Sequence, residues 1–177
     1  MKTTLIALGV LVVLVAAFFG LNSYIYNEKQ GEPVAYKDAL YFLSGEDIKI
    51  GGDGLTYFGN EVEGDLDGDG DLDKAFLVTH QPGGSGTFHY LAGAINDNGS
   101  YSGTQLMLIG DRIAPQTTEY RDLGAPYGAR VIVNYAERGP GEPFTTQPSM
   151  GKSIYAKYSP DTNDFGEVVQ NFEGESR

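Results

Sequence analysis

Residues 64–96 read GDLDGDGDLDKAFLVTHQPGGSGTFHYLAGAIN, and the second half of that stretch decides the fold. Residues 75–81 and 87–96 are two apolar and aromatic runs separated by Pro82-Gly83-Gly84-Ser85-Gly86, the composition of a β-hairpin with a glycine-rich turn. Phe76, Val78 and His80 alternate against Ala75, Leu77 and Thr79, and Phe88, Tyr90 and Ala92 against His89, Leu91 and Gly93. A period of two puts each set on its own face of a sheet, so one face is expected in the core and the other in water.

Strand signals recur outward from this hairpin, at 36–43, 47–50, 104–109, 118–122, 130–136 and 153–158. Strong turn punctuation lies between them, in Asn96-Asp97-Asn98-Gly99 and Gly139-Pro140-Gly141-Glu142-Pro143. Beyond residue 27 no segment sustains a 3.6-residue period, and the chain holds 25 glycines. The expectation is an all-β, antiparallel domain, a meander or open barrel of about six to nine strands.

The first half of the stretch speaks of chemistry. Asp65, Asp67, Asp69, Asp71 and Asp73 stand at alternate positions in DLDGDGDLD. Calcium takes about six to eight oxygen ligands, and oxygen-rich loops supply them from positions 1, 3, 5, 7 and 9 with glycine at 6. Counted from Asp65, the side chains of Asp67, Asp69 and Asp73 fall at 3, 5 and 9, Gly70 at 6 and the Asp71 carbonyl at 7. An EF-hand would need glutamate at position 12 and a following helix, but that position is Phe76, and Lys74 to His80 reads as a strand. The pattern predicts a calcium loop between strands. Acidic, glycine-punctuated runs also occur as solvated loops. Alternate spacing favours the metal, because without a cation the like charges repel well inside a Debye length of roughly 8 Å.

GDLDGDGDLDKAFLV resembles the calcium loop of FG-GAP and VCBS repeats, with Asp65, Asp67, Asp69, Gly70 and Asp73 matching the consensus. Those families repeat the loop in extracellular β-propellers, whereas it occurs once here. The wider stretch YFGNEVEGDLDGDGDLDKAFLVTHQPGGSGTFHY, with LIGDRIAPQTTEYRD and VIVNYAERGPGEPFTTQPSMGKS, also resembles a family of uncharacterised bacterial membrane-anchored domains. That resemblance implies an envelope protein and brings no activity with it.

At 177 residues the chain suits one domain plus a targeting segment. Residues 1–26 are expected to be a membrane anchor, 27–35 a linker, 36–170 the β domain and 171–177 a disordered tail. Lys2 precedes an uncharged run from Thr3 to Asn27 whose centre is almost wholly apolar, approaching the ~20 residues that cross a hydrocarbon core. A cleaved signal peptide is the alternative, but Phe18 and Phe19 follow Ala16 and Ala17 where small residues belong. Lys2 places the N-terminus in the cytoplasm by the positive-inside tendency and the β domain outside it, where calcium is abundant. The absence of cysteine excludes disulfides and lipid attachment through an N-terminal cysteine.

All 24 acidic residues lie beyond the apolar run with 11 of the 12 basic ones. That balance excludes a nucleic-acid partner, which needs a basic footprint. Catalytic motifs fail on inspection. Gly83-Gly84-Ser85-Gly86-Thr87 lacks the last glycine of a nucleophile elbow, and Gly151-Lys152-Ser153 has Thr146 where a P-loop needs glycine. His80 and His89, the two histidines, could approach across the hairpin, yet they lack a third zinc ligand or an assignable nucleophile.

The segment 138–150, RGPGEPFTTQPSM, is the recognition candidate: three prolines stiffen a loop that displays Phe144, Thr145, Thr146 and Gln147. Tyr120, Arg121, Tyr135 and Arg138 are possible additional contacts to a glycan or protein ligand. The expected function is a calcium-stabilised, membrane-anchored binding, adhesion or envelope structural module without catalysis. The alternative is an envelope enzyme or inhibitor acting on cell-wall glycans, which demands a cleft with a perturbed carboxylate or histidine.

Overall fold

The computed structural model describes residues 15–18, 32–125 and 127–169. The chain divides into two compact units, 1–33 and 34–177. In the first, residues 15–18 are helical, and no helix among the described residues is long and apolar enough to cross a membrane. The rest of the expected anchor, the start of the linker and the expected tail lie outside the described residues.

The second unit is all-β. Its described strands are β1 (Tyr41–Leu43), β2 (Glu46–Ile48), β3 (Leu55–Gly64), β4 (Asp73–His80), β5 (Phe88–Asp97), β6 (Ser100–Gly103), β7 (Met107–Asp111), β8 (Ala114–Asp122), β9 (Ala129–Glu137), β10 (Met150–Ser159) and β11 (Asp164–Glu167). They form a β1-β2 hairpin, a five-stranded sheet ordered β3-β4-β5-β6 with β7 also on β5, and a four-stranded sheet ordered β11-β10-β9-β8. All strand pairings are antiparallel. Eleven strands in three sheets replace the expected six to nine, and each large sheet is largely a meander.

The predicted hairpin is β4 and β5, in the predicted phase. Phe76 pairs with Ala92, Val78 with Tyr90 and His80 with Phe88, while Leu77 pairs with Leu91 and Thr79 with His89. Both faces are buried, which corrects the expectation of a wet face. Ala75, Leu77 and Leu91 pack against Val131, Val133 and Tyr135 of β9 and Ala156 and Tyr158 of β10, closing the two sheets on one core. Phe76, Val78, Ala92 and Ala94 pack on the opposite face against Ala39, Tyr41 and Ile48, so the β1-β2 segment forms a third layer. Phe76, fully buried, takes edge or tilted contacts from the rings of Tyr36, Tyr41 and Tyr57 at 5.4 to 5.9 Å.

That third layer is tied down by a polar latch. The Glu61 carboxylate of β3 accepts the Tyr36 hydroxyl at 2.7 Å, the Tyr57 hydroxyl at 2.9 Å and the Lys74 ammonium at 2.8 Å. Lys74 also pairs with Glu63, and both carboxylates hold the ammonium well above its ordinary range against the opposing cost of its burial.

Three strands escaped the sequence reading. β3 is broken by a bulge where Gly59 and Asn60 take φ of 120° and 53° and the register on β4 shifts twice; a pattern interrupted in its middle hides its period. β6 has four residues and follows an Asn98-Gly99 turn with both φ positive, the two-residue hairpin signal. β11 also has four residues.

Candidate functional site

The aspartate run is the connection from β3 to β4, and Gly64 opposite Asp73 is the last pair before it opens. Gly70, at the sixth position, has φ of 98°, a conformation that glycine adopts without the Cβ penalty. Oxygens of Asp65, Asp67 and Asp73 lie within 4.8 Å of one another. The carboxylates of Asp69 and Asp71 are not in that group. The Asp69 carboxylate accepts the Asp71 N–H at 2.8 Å, and the Asp71 carboxylate accepts the Asn98 N–H at 3.2 Å.

The main chain holds the three converging carboxylates in place. Asp65 accepts the N–H groups of Gly68 at 2.7 Å and Gly70 at 3.1 Å, and Asp67 accepts that of Asp69 at 3.1 Å. Asp73 is fully buried and spans two elements, accepting Leu66 N–H at 2.7 Å and Asn96 N–H, on β5, at 2.8 Å. From the other sheet, the Tyr120 hydroxyl donates to the Asp65 carbonyl at 3.0 Å. Gly64 makes room for that tyrosine, since a Cβ there would lie 2.4 Å from its ring.

The loop is electrostatically stressed. Burial raises the Asp73 carboxyl above its usual range, the two N–H donors pull it back, and the charges of Asp67 and Asp69 raise it further. Burial also raises Asp67, opposed by the Asp69 N–H and reinforced by the charges of Asp69 and Asp65. A carboxylate offers about four lone-pair positions, so these N–H contacts leave capacity for a cation. An all-oxygen set suits a hard divalent ion.

A second feature lies where the 138–149 connection folds over the start of β5. It is a groove of about 470 Å³ lined by Thr87, His89, Arg138, Arg112 and Ile113 of the β7-β8 turn, Ala114 at the start of β8 and residues 144–148. Phe144 is 66% exposed, as the recognition reading expected, and the Arg112 guanidinium lies 3.6 Å from its ring centroid. Arg112 also reaches Asp111, through Nε at 2.9 Å. Arg138 staples the loop, donating to the Thr146 carbonyl at 2.5 Å and the Arg112 carbonyl at 2.8 Å. These contacts hold the Asp111 carboxyl below its usual range, Arg112 first among the causes.

Of the other recognition candidates, only Arg138 reaches the groove. Tyr120 serves the aspartate loop, Arg121 pairs with Glu119 at 2.9 Å, and Tyr135 is buried in the core. His80 and His89 do not converge, because they occupy adjacent register positions and so point to opposite faces. His80 meets the Asp53 carbonyl at 3.1 Å, while His89 packs against Phe58 with ring centroids 5.5 Å apart. The Gly83–Gly86 run is a hairpin loop followed by β5, and Gly151–Ser153 lies within β10, so neither precedes a helix. Sequence reasoning missed Arg112, Thr87 and the place of His89 in the groove. The chain brings them together from separated segments, and no local spacing marks them.

No family model matches the chain, and no curated protein or solved structure shows significant similarity to it.

Proposed function

We propose that the chain is a calcium-stabilised β domain, presented outside the cytoplasmic membrane by its apolar N-terminus, that acts as a binding or envelope structural module. The observation that carries this reading is the convergence of Asp65, Asp67 and Asp73 within 4.8 Å. Asp73 is fully buried and bonded to both β5 and the loop itself. An ion held there would offset the burial and the repulsion that raise Asp67 and Asp73, and it would join β3, β4 and β5 through one point. Metal affinity would then appear as folding stability. Asp65, Asp67 and Asp73 supply carboxylates, with Asp69 and the Asp71 carbonyl completing the set. The single FG-GAP or VCBS-like loop supports calcium as the ion, and the apolar run from Leu5 to Leu21 supports the membrane location.

Our reading of the groove is binding rather than catalysis. The neighbouring Asp111 is committed to Arg112 and to the Thr87 N–H at 3.1 Å, and among the described residues lining the groove no nucleophile is hydrogen-bonded to a base. Titration calorimetry of the full-length protein in detergent tests the reading. One calcium per chain, with the heat abolished in Asp67→Ala, is the expected result. Absence of heat in the parent protein would overturn it.

A further inference from the structure

The groove beside Phe144 has the chemistry of a ligand site. It is an open surface groove whose volume of about 470 Å³ matches that of small-molecule sites without their enclosure. His89 is only 5% exposed, yet its Nδ1 has no hydrogen-bond partner. A buried polar atom without a partner costs roughly 1–3 kcal/mol, and His89 lines the groove. Whichever tautomer the ring adopts, a hydroxyl can satisfy it, since a hydroxyl both donates and accepts.

Two guanidinium groups, of Arg112 and Arg138, line the groove in a chain whose net charge is −12, and the neighbouring Asp111 pairs with Arg112. Neither guanidinium is used up. Arg112 gives Nε and one Nη to Asp111, and Arg138 gives Nε and Nη1 to two carbonyls, out of five N–H donors each. Arg112 also sits at φ 49°, a left-handed conformation uncommon for this residue type and concentrated at functional sites. Thr87, Thr145, Thr146 and Gln147 add hydroxyl and amide groups. Phe144 carries Arg112 on one ring face, and its exposure leaves apolar surface for a partner.

We infer that this groove binds an acidic sugar residue, a ring bearing several hydroxyls and one carboxylate. The carboxylate meets the Arg112 and Arg138 edges, a ring hydroxyl meets the His89 imidazole, and the C–H face of the ring lies on Phe144. The inference rests on the binding-module reading above and names its ligand class. Hydroxyl-rich walls favour this over an acidic peptide, which would bring several carboxylates to two guanidinium groups, one of them already paired with Asp111.

Two histidines make the test direct. The imidazole proton signals of full-length protein in detergent, with calcium saturating, are followed during titration with D-glucuronate, D-glucose, an oligogalacturonate and an Asp-rich peptide. Glucuronate is expected to shift His89 saturably and leave His80 unmoved, with glucose at least about tenfold weaker because it lacks the charge-assisted bonds. Phe144→Ala, an exposed substitution that spares the core, is expected to weaken glucuronate about fivefold or more through lost ring contact. Tighter binding of the oligogalacturonate assigns a polymer as the source, and equal binding assigns a free sugar acid. Equal shifts with glucose and glucuronate, shifts of both histidines together, or binding of the peptide alone would each overturn the inference. If the sugars fail while calcium still binds, the groove assignment falls and the calcium reading stands.

Discussion

The Tyr120 hydroxyl of one sheet donates to the Asp65 carbonyl of the other sheet's aspartate loop at 3.0 Å. The first residue of the acidic run is therefore braced by β8, and Gly64 is the residue that lets the tyrosine ring come so near. Stability of the loop and contact between the sheets are coupled at this point.

Tyr120→Phe removes that bond and keeps the ring, at an expected cost of about 0.5–1.5 kcal/mol. Gly64→Ala places a methyl group 2.4 Å from the ring and is expected to cost more, roughly 1–3 kcal/mol for an overpacked site. Urea unfolding of the two variants measures the order. A harmless Gly64→Ala would show that the sheets are not held together here.

Phe76 is central to the outer layer, fully buried among three tyrosine rings. Phe76→Ala is expected to destabilise by about 3–5 kcal/mol and Phe76→Leu by much less, because the leucine leaves a smaller cavity. Equilibrium denaturation distinguishes the two.

Glu61 accepts from two tyrosines and one lysine. Glu61→Ala strands all three donors and is expected to cost on the order of 1–3 kcal/mol, with proteolysis of the segment before β3 accelerated first. Glu61→Gln, which retains one acceptor oxygen, should fall between.

Burial lowers the His89 imidazole below its ordinary value, and the nearby Thr87 backbone and Asp111 charge offset this only in part. A histidine kept neutral in the fold contributes stability that is complete above the unfolded value of about 6.5 and is lost as the pH falls through the folded value. Melting temperature against pH should therefore drop on the acid side of neutrality more steeply in the parent than in His89→Gln. Parallel curves would mean that His89 titrates like a free imidazole.

The β4-β5 hairpin was legible because its alternation and its turn are local, and the structure keeps the predicted phase at Phe76, Val78, Tyr90 and Ala92. Burial of both faces was also written there, in the unbroken apolar run Ala75-Phe76-Leu77-Val78, since strands covered on both sides lose their alternation. β3 was hidden by the Gly59-Asn60 bulge. The aspartate loop was legible as a set because its spacing is sequential. Which three carboxylates converge was not, because all five accept main-chain N–H groups and only the path of the folded loop decides which of them face one another. Phe144 was legible as an exposed residue of a stiff loop, whereas Arg112 and His89 join it only through the pairing of β5 with β7.

The most direct test of the metal clamp is the melting temperature of full-length protein with chelator, with magnesium and with calcium, repeated in Asp67→Ala. At a calcium concentration about a hundredfold above Kd, linkage gives roughly 2.7 kcal/mol, a rise on the order of 5–10 °C for a domain of this size. The account predicts that rise with calcium in the parent protein and none in Asp67→Ala. An unchanged melting temperature with calcium in the parent would contradict it.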